Sequence, residues 1–187
     1  VLTTTAATVS NGGGQFNGTV TVGVDDTGYD VKFFGATSGK YTLWDESADT
    51  LYVSGDLASV TAGTSNFVAG VNAGNSIASG GNYNVTVGDE AGTAITTGDQ
   101  NVFIGYQAGD ATTTAGFNIG IGYNSLGANI LGGRSVAIGN AALEVQNYST
   151  ATDAYNVAIG HGAGEAVTTG TLNTLIGGLA GDATTTG

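Results

Sequence analysis

Asn101-Val102-Phe103-Ile104-Gly105 decides how this chain is read, because the same phrase returns down the rest of the sequence. It appears as Asn84-Val85-Thr86-Val87-Gly88, Asn118-Ile119-Gly120-Ile121-Gly122, Ser135-Val136-Ala137-Ile138-Gly139, Asn156-Val157-Ala158-Ile159-Gly160 and Asn173-Thr174-Leu175-Ile176-Gly177. A weaker copy, Asn66-Phe67-Val68-Ala69-Gly70, opens the series, and the start-to-start steps are 18, 17, 17, 17, 21 and 17. A short regular period marks a repeat architecture, in which each unit buries its apolar side only by stacking on its neighbours.

The unit reads as strand and turn. Several glycines fall in every unit, and each costs roughly 1 kcal/mol relative to alanine in a helix. The alternation around Val85 and Val87, and its equivalents, is that of a β-strand. It predicts that the paired Val and Ile columns form the inside, with Val87, Ile104, Ile121, Ile138, Ile159 and Ile176 as the repeat core. Gly88, Gly105, Gly122, Gly139, Gly160 and Gly177 then turn the chain. A second short strand places Ala91, Ala108, Ser125, Ala142, Ala163 and Ala180 inward. Identical amides at Asn84, Asn101, Asn118, Asn156 and Asn173 are expected to hydrogen-bond up the stack as an Asn ladder. Seven coils at about 4.8 Å give a rod roughly 34 Å long. So thin a core calls for several chains side by side, and a trimer fits a fibre. The 18- and 21-residue steps should bulge, at Gly80-Gly81 and between Asn147 and Tyr155.

The flanking sequence differs. Residues 1–16 are rich in Thr, Ala, Ser and Gly and read as an extended arm. Residues 17–60 carry short aromatic and β-branched runs (19–22, 29–33, 40–44, 50–53) between Gly, Asp and Ser turns, as in a small antiparallel β module. Residues 61–187 are the repeats. The 187 residues include 34 Gly and no Pro, Cys or Met, so collagen and disulfide scaffolds are excluded. A formal charge of −12, with only Lys32, Lys40 and Arg134 basic, argues against nucleic acid and against anionic membranes as partners. No stretch of 18 apolar residues suggests membrane insertion. The absence of Met, and the recurrence of 108–114 at 180–186 just before Gly187, lead to the expectation that the chain is a segment of a longer fibre.

The phrase Asn101-Val-Phe-Ile-Gly-Tyr-Gln-Ala-Gly109, repeated as Asn156-Val-Ala-Ile-Gly-His-Gly-Ala-Gly164, resembles two repeat types. One is the head of trimeric autotransporter adhesins, whose units are somewhat shorter. The other is the 17-residue Asn-Thr-Ala-Ile-Gly-Tyr-Gln-Ala type of bacteriophage tail fibres and other large surface proteins. Asn173-Thr-Leu-Ile-Gly177 and Ile104-Gly-Tyr-Gln-Ala108 match it in phrase and period. The stretch from Asp30 to Asp45 looks like a segment of structural proteins of marine phages, cyanophages among them. Together the similarities cover residues 17–187. They imply a virion component that is a parallel homotrimer, bound to other virion structural proteins, with a host-surface glycan or receptor as a candidate contact. The alternatives are a bacterial surface adhesin head and the non-catalytic stem of a polysaccharide depolymerase.

Candidate chemistry is sparse. His161 occupies the variable slot that holds Tyr106, Tyr123 and Asn140 elsewhere, and no Ser, Cys or acidic partner forms a recognisable catalytic arrangement with it. Asp25, Asp26, Asp30, Asp45, Glu46, Asp49 and Asp56 cluster in expected turns without the spacing of a calcium loop, so no metal is assigned. The Thr clusters read as corners rather than an ice-binding face. Phe117, Tyr106, Tyr123, Tyr148 and Tyr155 read as outward or corner aromatics, for interchain packing ahead of sugar stacking. The expectation is an all-β chain, a small antiparallel module followed by a β-solenoid of about seven coils, non-enzymatic and without cofactor.

Overall fold

The computed structural model describes residues 31–34, 41–45, 48, 50–54 and 61–186. The chain divides into two compact units, Val1–Asp56 and Leu57–Gly187. The expected arm at 1–16 and the expected strand at 19–22 lie outside the described residues. In the first unit, β1 (Val31–Phe34), β2 (Tyr41–Asp45) and β3 (Thr50–Ser54) form an antiparallel sheet in that order. Val31 faces Trp44, which faces Leu51, so an apolar row crosses the sheet. The β2–β3 turn is held by Asp45, whose Oδ1 accepts from the Ala48 amide at 3.2 Å.

The second unit is a β-solenoid. Its strands are β4 (Phe67–Ala69), β5 (Val85–Val87), β6 (Val102–Ile104), β7 (Ile119–Ile121), β8 (Gly132–Gly133), β9 (Val136–Ile138), β10 (Thr152–Asp153), β11 (Val157–Ile159) and β12 (Thr174–Ile176). Seven of these stack as one parallel sheet in the order β4-β5-β6-β7-β9-β11-β12. The register keeps each phrase on its copy: Val87 pairs with Ile104, Ile104 with Ile121, Ile121 with Ile138 and Ile138 with Ile159.

The interior is the reverse of the expected one. The middle residue of each strand points in: Thr86, Phe103, Ala137 and Ala158 are fully buried. The predicted core column points out, with Ile104 and Ile159 each 37% exposed and Ile176 67%, while Val87, Ile121 and Ile138 are half-buried. Parity is the reason. The Asn is buried in every coil but the last, where Asn173 is half-buried, and the Ile lies three residues later, an odd step that a strand sends to the opposite face. The second column is as expected over five coils, where Ala91, Ala108, Ser125, Ala142 and Ala163 are fully buried, while Ala180 in the last coil is half-buried. It lies in turns rather than in a second strand, and among the described residues of the solenoid the other ladder is the short β8–β10 pair.

With small residues facing each other, one large side chain fills the middle. Phe103 is fully buried, and Gly120 in the next coil leaves it room, since a Cβ there would lie 2.9 Å from Phe103 Cδ1. Ile77, Ile95, Leu126, Leu143 and Val167 complete the core. The turn glycines behave as the spacing predicts. Gly105 has φ +132°, and a Cβ on it would sit 2.7 Å from the Gly122 carbonyl oxygen. Only glycine meets both conditions.

Two substitutions test this interior. Phe103→Ala removes its largest fully buried side chain and should cost about 3–5 kcal/mol in denaturant unfolding. Thr86→Val should stabilise by about 1–2 kcal/mol, because the buried Thr86 hydroxyl has no hydrogen-bond partner.

Candidate functional site: an amide ladder and an outward apolar face

The ladder is built from one residue per coil. Asn84 Oδ1 accepts from the backbone N–H of Asn101 at 2.9 Å and from its Nδ2 at 3.1 Å. Asn101 Oδ1 accepts from the Asn118 N–H at 3.0 Å, and Asn156 Oδ1 accepts from Asn173 N–H at 2.9 Å. Each Nδ2 also reaches across its own coil to a carbonyl 14 residues on: Gly98 for Asn84, Ala115 for Asn101, Gly132 for Asn118 and Gly170 for Asn156. The amide therefore joins coil to coil and closes each coil on itself.

Where Ser135 replaces Asn, the ladder is patched from the opposite wall. Gln146 Nε2 donates to Ser135 Oγ at 3.2 Å and to Asn129 Oδ1 at 3.3 Å, while its Oε1 accepts from Asn156 Nδ2 at 2.8 Å. Tyr148, expected to be outward, is buried here instead, and its hydroxyl donates to the Gly170 carbonyl at 2.6 Å. Burial pushes the Tyr148 phenol above its ordinary value of 10.0. The four extra residues of the long step are thus spent around a buried tyrosine.

Because the Asn points in, Val and Ile point out. Val85 and Val87, Val102 and Ile104, Ile119 and Ile121, Val136 and Ile138, and Val157 and Ile159 form two parallel columns, uninterrupted over five coils and free of charge. Phe67 and Ile176 extend the face at either end. Neighbouring rows carry the aromatics. Tyr106 and Tyr123 are exposed, with ring centroids 5.7 Å apart. Glu90, together with burial and Asp89, pushes the Tyr106 phenol upward. His161 is exposed in the same row.

The remaining expectations divide. Corner threonines use their hydroxyls internally: Thr96 Oγ1 donates to the Thr113 carbonyl and Thr168 Oγ1 to that of Thr185. Among the described residues, no three His, Asp or Glu side chains converge as a metal site would need. Of the N-terminal acidic cluster only Asp45 is described; Asp25, Asp26, Asp30, Glu46, Asp49 and Asp56 lie outside the described residues. No described helix is long and apolar enough to cross a membrane.

Sequence reading missed one convergence. Phe117, Arg134 and Tyr155 are stacked on successive coils, with the Arg134 guanidinium 4.5 Å from the Phe117 ring centroid and 5.9 Å from that of Tyr155. Arg134 Nε also lies 3.0 Å from Asp153 Oδ1. The signal was present as a lone arginine beside the 21-residue step.

Asn101→Ala should lower unfolding free energy by at least ~2 kcal/mol, because each buried polar group left unpaired costs about 1–3 kcal/mol. The exposed Asn140→Ala should stay within about 0.5 kcal/mol. Alkaline pH offers a second test. A phenol whose folded value is raised stabilises the fold fully below its unfolded value and loses that contribution as pH rises through the folded one. Thermal unfolding should therefore show stability falling above pH 10, with a smaller fall in Tyr148→Phe. Neither a protein-family model, nor a curated protein, nor a solved structure matches the chain.

Proposed function

We propose that this chain is a non-enzymatic structural component of a phage fibre or virion appendage, acting as a rigid spacer built from three parallel copies. The observation that carries the reading is the outward Val and Ile face. Five coils present two apolar side chains each, at the rise of a β-sheet, with no charge among them. An apolar surface of that continuity marks an interaction site.

A second copy is the partner that fits it best. Chains set in parallel about an axis along the rod place every coil opposite its counterpart, so the match extends over the full length. A globular partner would need its own surface repeating at about 4.8 Å. The number three, and the placement in a virion beside other structural proteins, come from the resemblance to fibre repeats. Host-surface attachment through a glycan or receptor is a further role of the same appendage.

Native mass measurement of the folded chain should give three copies. Ile104→Asp combined with Ile121→Asp should leave the β spectrum in place and reduce the mass to one copy, since both side chains point outward. A single-copy mass for the unsubstituted folded protein would overturn the trimer. Peptides of the chain should appear in purified virions, and recovery only with bacterial outer membranes would overturn the virion assignment.

A further inference from the structure

The long step builds a groove on the side of the solenoid. β8 (Gly132–Gly133) and β10 (Thr152–Asp153) pair in parallel and hold the inserted residues as a wall. The groove against that wall has a volume of about 370 Å³, and its lining includes Thr114, Phe117, Leu131, Arg134, Thr152 and Asp153. That is within the roughly 300–1,000 Å³ of small-ligand sites. None of its lining residues belongs to the Val and Ile columns.

We propose that this groove binds one or two rings of a neutral saccharide. A pyranose has apolar C–H faces and a rim of hydroxyls, so its site needs an apolar platform beside paired donors and acceptors. Leu131 and the part of Phe117 that the Arg134 guanidinium leaves exposed supply the apolar surface. Arg134 and Asp153 supply donors and an acceptor held together by their ion pair. Their side chains stay 39% and 58% exposed, so hydroxyls can reach both. The guanidinium has five N–H donors; its plane lies against Phe117 and Tyr155, and among the described residues only Nε is paired with a carboxylate, so the terminal amino groups can donate to a ligand at the edge. Among the described residues the Thr114 hydroxyl has no hydrogen-bond partner either.

Charge selects the class of sugar. Arg134 is the one basic residue of the solenoid, and Asp153 already answers its charge. The chain as a whole is at −12, which repels uronic and sialic acids and leaves neutral hexoses unaffected. The inference goes beyond the spacer role and does not depend on it, because one chain supplies the whole groove.

Chemical-shift titration of the folded chain tests it, with glucose, galactose, mannose and N-acetylglucosamine as neutral probes and glucuronic acid as the acidic one. At least one neutral probe should shift the amides of Phe117, Arg134, Thr152 and Asp153, with a dissociation constant in the millimolar range. Arg134→Lys, which keeps the charge but loses the planar fork, should weaken that binding about tenfold with the thermal midpoint unchanged. Phe117→Ala should weaken it similarly. No shift with any neutral probe would overturn the proposal. So would preference for glucuronic acid, shifts centred on Tyr106 and Tyr123 instead, or binding that survives both substitutions unchanged.

Discussion

The buried carboxamide column is the constraint on which the rest of this solenoid depends. A polar side chain in a core this narrow is tolerable only if every donor and acceptor is paired. Asn101 meets that condition by bonding to the coil before it, the coil after it and the far end of its own coil. The span of 14 residues from Asn to accepting carbonyl sets the size of each coil, and it recurs at four Asn positions. The 18-residue step fits the same logic, because Asn66 reaches Gly81, 15 residues away. The extra residue lies inside that span.

From the column follows the face. A strand alternates, so an inward Asn dictates an inward middle residue and outward Val and Ile on either side. The strands therefore place their Val and Ile side chains on the surface and turn Ala, Gly, Thr and one Phe inward, while Ile77, Ile95, Leu126, Leu143 and Val167 of the turns supply the rest of the core. That distribution is uneconomical for a monomer and suits a rod that buries its flanks in other rods. Stacked coils contact only their neighbours along the axis, so the lateral association proposed above would give such a chain a wider core.

Much of this was legible in the sequence, and the part that was not has a physical cause. The period, the turn glycines, the inward Ala column and the Asn ladder follow from residue type at fixed spacing. The side that Ile104 faces does not, because its hydrophobicity points inward while its parity with Asn101 points outward. An Asn ladder at position 101 and an inward Ile at 104 cannot share one strand face. Bulky residues at positive φ were also invisible: Tyr83, Gln100, Phe117, Arg134 and Tyr155 all lie between +51° and +62° just before the Asn or Ser, where no glycine signals the turn. The groove beside Arg134 required knowing that the coils stay in register across the 21-residue step. Gln146 and Tyr148 keep that register by bonding to residues 8 to 22 positions away, contacts that composition does not reveal.

The most direct test is hydrogen exchange at the side-chain amides of Asn84, Asn101, Asn118 and Asn156, read by NMR with the exposed Asn140 as internal reference. The ladder requires these four carboxamides to exchange far more slowly than that of Asn140, whatever the number of chains associated. Exchange of all four at the rate of Asn140 would mean that the amides face solvent, and the inward Asn and outward Ile of this fold would both be wrong.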